Sequence, residues 1–219
     1  MRATARTHRG PSALALLAFS LLAAFILTAA PVQAGTLVVK GGVVHTMAGE
    51  ALNDGVVVIE DGKIVAVGTA SEIDVPAGAR EVEAAIVTPG LIDAHSVVGL
   101  AGYLNQNHDQ DQLEKSSPIQ PELRAIDAYN ARERLVEWVR SFGVTTIHTG
   151  HGPGALVSGE TMIAHTRGDT VEEAVLVPTA MIAATLGEGA TSRERAKSPG
   201  TRGKLAAMLR AQLVKASEY

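Results

Sequence analysis

Pro89-Gly90-Leu91-Ile92-Asp93-Ala94-His95-Ser96-Val97 decides how this chain is read. A proline–glycine turn tips into an apolar run that ends in a histidine, the pattern of a loop entering a buried β-strand. Side chains alternate across a strand, so residues 95 and 97 share a face. A second histidine at 97 would let one strand end hold a metal ion between two imidazoles. Residue 97 is valine, whose methyl groups ligate nothing. The stretch has the shape of one half of a metal-binding pair.

Upstream, residues 36–88 read as short strands punctuated by turns. Residues 36–40 and 43–46 flank Gly41-Gly42, read as a turn, and residues 56–60 and 63–68 flank Asp61-Gly62. An Asp-Gly dipeptide between two apolar runs is among the strongest hairpin signals. Another turn lies at residues 76–78, before a strand at 80–84. This is a small all-β unit that buries little alone and needs a partner.

Downstream the pattern changes. Residues 86–95 read as one fully buried strand, apolar on both faces. A polar stretch, 105–121, centres on Asn107-His108-Asp109-Gln110-Asp111. A helix follows over at least 131–142, with Leu135, Val139 and Phe142 at helical spacing and Gly143 as its stop. Residues 144–149 form a β-branched strand. Strand, helix and strand predict one βαβ unit, hence a parallel sheet covered by helices. Residues 161–166 read as a strand, 171–175 as a strand or short helix, and 180–186 as a strand. Thr201 is placed to cap a last helix with Leu205, Met208, Leu209 and Leu213 on one face.

Residues 1–34 read as a cleavable signal peptide. Arg2, Arg6 and Arg9 precede an uncharged apolar run from 13 to 30, and Val32-Gln33-Ala34 is a small-x-small signal for cleavage after Ala34. The expected location is periplasmic or secreted, and the membrane is a partner only through an uncleaved leader. Cleavage leaves 16 basic against 23 acidic residues, and no basic patch points to nucleic acid. There is no cysteine, so neither disulfides nor a lipidated cysteine enter the reading.

The order of a small β-unit, then Val87-Thr88-Pro89-Gly90-Leu91-Ile92-Asp93-Ala94-His95, then a helix into Phe142-Gly143-Val144-Thr145-Thr146, resembles the amidohydrolase superfamily. The likeness is greatest to its imidazolonepropionase-like branch, and the hairpin around Asp61-Gly62 fits that family's N-terminal half-sandwich. The fold class so implied is α/β: residues 35–88 as a β-sandwich half-domain, and residues 89–219 as the N-terminal part of a (β/α)8 TIM-like barrel. The resemblance further implies hydrolysis of amides or cyclic amides, C–N bonds other than peptide bonds, by metal-activated water. The cofactor so implied is a divalent metal, zinc among the candidates, and the partner a small-molecule substrate. Homo-oligomerisation is left open.

By position, His95 matches the first histidine of the family's His-x-His pair and is the metal-ligand candidate, while Val97 stands at the second. Asp93, His148 and His151 are candidates for the mouth of the site. Asp93 is placed either to orient His95 or to make a hydrogen bond that closes the bottom of the barrel, and His148 and His151 flank the end of the next strand among glycines. His108, Asp109 and Asp111 are read as a solvated cluster with some capacity for metal. The basic residues Arg193, Arg195, Lys197, Arg202 and Lys204 are read as a solvated face. A barrel of this type takes about 250 residues, against 131 from Pro89 to Tyr219. The chain is therefore expected to be a fragment or to pair with a second polypeptide. Two functions remain: an exported hydrolase, or a non-catalytic relative acting as a binding or assembly subunit.

Overall fold

A computed structural model describes residues 35–192 and 197–219, which divide after Pro89 into two compact units. The leader expected at residues 1–34 lies outside the described residues. No helix among the described residues is long and apolar enough to cross a membrane.

The first unit is one four-stranded sheet. Its strands are β1 (Leu37–Val44), β2 (Leu52–Glu60), β3 (Lys63–Thr69) and β4 (Arg80–Val87), in the order β3-β2-β1-β4. The Asp61-Gly62 hairpin forms between β2 and β3 as expected, with φ of +50° and +73° at its two central residues. Both values suit the turn whose twist matches paired strands. Gly41-Gly42 is a correction: no turn forms there, and β1 runs straight through. β1 is hydrogen-bonded on both sides, antiparallel to β2 and parallel to β4. A Cβ at Gly41 would lie 2.8 Å from a Val44 methyl and 2.9 Å from a Val87 methyl. The glycine therefore serves close packing inside a central strand rather than a bend. Val38, Val56 and Val58 form the core of this unit, with Ala66, Ile73 and Ala79 against them.

The second unit opens with β5 (Leu91–Ser96). Then come α1 (Ala125–Ala128), α2 (Arg134–Ser141), β6 (Val144–Thr149), β7 (Val157–Glu160) and β8 (Met162–His165). The rest is α3 (Val171–Ala174), β9 (Val175–Val177), β10 (Ile182–Ala184) and α4 (Arg202–Glu218). Residues 86–95 are not one buried strand. Pro89 has no N–H to give a ladder, and the chain breaks there between β4 and β5. β5 then lies at the edge of the sheet β5-β6-β8-β9, with Leu91 59% and Ile92 72% exposed.

The expected βαβ unit is present. α2 begins after Glu133, whose carboxylate accepts from the Leu135 N–H, and the chain turns at Gly143 (φ +87°) into β6, parallel to β5. The sheet does not continue parallel, however. β8 pairs antiparallel with β6, and β9 antiparallel with β8. Parallel strands need a crossover of a dozen or more residues, usually helical. Between Thr149 and Met162 the chain instead passes four glycines, one of them within β7, and no helix forms.

The core of this unit gathers Leu100, Ala125, Tyr129, Val136, Ile147, Met162, Ala164 and Ala174. Burial pushes the Tyr129 phenol up to about 12, so the ring stays neutral. Of the further strands, 161–166 forms as β8 and 180–186 only as the shorter β10; residues 171–175 resolve as α3 running into β9. Thr201 caps α4 by accepting from the Lys204 N–H at 3.2 Å. Leu205 is buried against Leu156, Val157 and Ala190, with Met208 and Leu209 beside it. Leu213, expected on the same face, is exposed because the helix runs on past that cluster.

Candidate functional site

The parallel pairing of β5 with β6 brings the carboxyl ends of two strands side by side. His95 and His148 are each the penultimate residue of their strand. The register slips here: Asp93 pairs with Ile147, but Ser96 pairs with Thr149. Such irregularities re-aim backbone and side chains next to sites. Within the slip, the Ala94 carbonyl accepts from His148 Nδ1 at 2.9 Å, and His148 Nε2 meets Thr161 Oγ1 at 2.7 Å.

His95, His148 and His151 line a single cavity of about 190 Å³, together with Ser158, Thr161 and residues 181–185. His95 is exposed at its mouth. His151 is 5% exposed, and neither ring nitrogen has a well-formed hydrogen bond; the Ser158 hydroxyl is buried in the same condition. Unpaired buried polar atoms are uncommon in folded chains, and here residues carrying three of them line one cavity. Burial lowers the His151 pKa below the ordinary histidine value, offset in part by the nearby Leu123 carbonyl. A depressed histidine stabilises the fold fully only above its unfolded pKa, near 6.5. Stability is thus expected to fall as pH drops through and below 6.5, as the buried ring is forced to charge. His151→Leu should flatten this loss in urea titrations at pH 8, 6 and 5; an unchanged pH dependence would place the titrating group elsewhere.

Of the other residues singled out by sequence, Asp93 uses Oδ1 to accept the backbone N–H of His95 at 3.2 Å, and so braces the main chain just before the strand end. Val97 lies half-buried beyond it. His108, Asp109 and Asp111 stand apart from the cavity, and Asp109 accepts from the Gln106 N–H at 2.8 Å. Arg193 and Arg195 lie outside the described residues. Ser158 and Thr161 carried no signal in sequence; their place in the wall comes from β7 and the turn after it.

A metal ion does not fit these residues as they stand. Val97 offers no donor, both nitrogens of His148 are engaged, and those of His151 are sealed from solvent. Among the described residues no group of three or more His, Asp or Glu side chains is gathered to hold one.

No family model matches the chain. Over 118 residues it is 33% identical to a 5-methylthioadenosine/S-adenosylhomocysteine deaminase from Symbiobacterium thermophilum, an alignment covering 50% of this chain and 27% of that protein. The structure superposes on an amidohydrolase from Thermotoga maritima with a TM-score of 0.77 at 26% identity, over 84% of this chain and 48% of the other. The chain thus spans about half the length of that solved relative and about a quarter of the curated one. In its α/β architecture and in both likenesses the chain resembles amidohydrolases and a related deaminase, over the part of those proteins that it spans.

Proposed function

We propose that the complete protein is a hydrolase of small molecules that acts on C–N bonds other than peptide bonds, amides or cyclic amides among them. One observation supports this most: three histidines from two adjacent parallel strands and the following loop meet in one cavity at the strands' carboxyl ends. Active sites of barrel enzymes are built at that end. On this reading β5 and β6 are the first strands of such a barrel and the β1–β4 sheet is half of a β-sandwich. The relatives act on or are named for C–N chemistry, in keeping with a small-molecule substrate.

Such enzymes call for a divalent metal, and His95 is the residue here that would contact one. The remaining residues of this corner do not complete a site, so its contribution is to shape the cavity and hold the His95 strand end. Export with cleavage after Ala34 belongs to the same proposal, on the strength of the apolar run and the Val32-Gln33-Ala34 signal.

Val97 and the engaged His148 also favour a second reading, a non-catalytic binding or assembly subunit. The complete protein, purified from a bacterial periplasm, decides between them by elemental analysis and turnover of a panel of amides and cyclic imides. The hydrolase reading expects turnover that His95→Ala lowers by about 10–100-fold, the usual cost of a lost ligand or its support. No turnover, with metal content unaffected by His95→Ala, would leave the non-catalytic reading.

A further inference from the structure

We infer that His148 is a positioning residue, a neutral hydrogen-bond clamp that holds the Ala94–His95 strand end, and not a ligand. The argument begins with the Ala94 carbonyl, which can only accept. Nδ1 of His148, 2.9 Å away, must therefore carry the proton. In the neutral ring Nε2 is then an acceptor, and its neighbour at 2.7 Å is the Thr161 hydroxyl. Thr161 Oγ1 also lies 3.3 Å from the Met181 carbonyl and 3.2 Å from the Met181 N–H. Its one proton goes to the shorter and stronger contact, the imidazole, while the Met181 N–H donates to its oxygen. The chain of bonds runs Met181 N–H to Thr161 hydroxyl to His148 to the Ala94 carbonyl, and every lone pair of the ring is spent.

The clamp sits where the β5–β6 register slips, between Asp93 and Ser96. It gives the Ala94 carbonyl a partner there and ties β5 to the turn before β8. With Asp93 accepting the His95 N–H, the single peptide between Ala94 and His95 is held at both its carbonyl and its N–H. The importance of that fixing rests on the hydrolase reading above, but the test needs no turnover and so can fail separately from it.

The test labels the complete protein with diethylpyrocarbonate, with and without EDTA, and maps histidine modification by mass spectrometry. The clamp predicts that His148 is protected with or without EDTA, so that any EDTA-dependent labelling is confined to His95. Thr161→Val should free Nε2 and raise His148 labelling about tenfold, the scale of one lost hydrogen bond, while Thr161→Ser keeps the protection. Nitrogen-15 spectra should show the Nδ1–H tautomer. Amide exchange over 94–98 should speed about tenfold in His148→Phe and stay slow in His148→Asn, which retains a donor toward Ala94. Unmasking of His148 by EDTA, an Nε2–H tautomer, or exchange unmoved by His148→Phe would each overturn the inference.

Discussion

Replacing Gly159 by alanine is expected to destabilise the complete protein by about 3 kcal/mol or more. Gly159 lies inside β7 at φ +130°, where L side chains rarely go, and a residue held there costs about 1–3 kcal/mol before any contact is counted. The added Cβ would also fall 2.5 Å from the Leu123 carbonyl and 2.6 Å from His151 Nε2. Neither is the free end of a flexible chain. The carbonyl is backbone that takes the Glu160 N–H at 2.7 Å, and the ring is packed into the cavity wall. Losses of this size come from a short set of causes, and backbone strain combined with overpacking is among them. Urea midpoints at pH 8, where His151 is neutral, measure the effect. A loss below about 1 kcal/mol would mean that His151 can leave its place cheaply and is no fixed part of the site.

Residues 35–219 expressed alone are expected to associate or aggregate. Ile64, Val65 and Ile86 in the first unit, and Leu91 and Ile92 on β5, are all more than half exposed. β5 is moreover an edge strand with unpaired backbone groups, and an exposed apolar edge is a template for pairing with another chain. Trp138 and Phe142 form a further exposed aromatic pair with ring centroids 5.0 Å apart. Exposed apolar side chains in such number favour association. Sedimentation of the purified segment should show oligomers or aggregates at micromolar concentration. A single monomer that melts cooperatively would refute this and show the surfaces to be tolerated in water.

What sequence revealed, and what it concealed, divides by the range of the interaction. The Asp61-Gly62 hairpin, the Thr201 cap and the Gly143 stop are local devices, each set by a few neighbouring residues, and each appears where expected. Gly41-Gly42 reads locally as a turn, but its role depends on Val87 in a strand far along the chain. The antiparallel return of β8 was not foreseen, since no sequence period marks the direction in which a strand pairs. The strand-end location of His95 was legible from the Pro-Gly entry and the apolar run. The company it keeps was less so. His148 and His151 read alike in sequence, as candidates for the mouth of the site flanking a strand end among glycines. The structure separates them: Leu123 and Gly159 bury His151, while Ala94 and Thr161 occupy both nitrogens of His148. Burial and bonding at a site are tertiary facts, and the residues that cause them carry no motif.

The parallel pairing of β1 with β4 carries a consequence for how the first unit assembles. Leu37 lies beside Arg80 and Val44 beside Val87, so this ladder closes a loop that contains the whole β2–β3 hairpin. Local pairings form before distant ones, because the entropy of loop closure must be met before the contacts reward it. As the chain emerges N-terminus first, β1, β2 and β3 can zip together from their short turns, leaving one flank of β1 open until β4 emerges. Pro89 and β5 follow directly behind. The last strand to seal the first unit is thus the one that hands the chain to the histidine-bearing strand, and an emerging chain has no sealed first sheet until it has reached the threshold of the site.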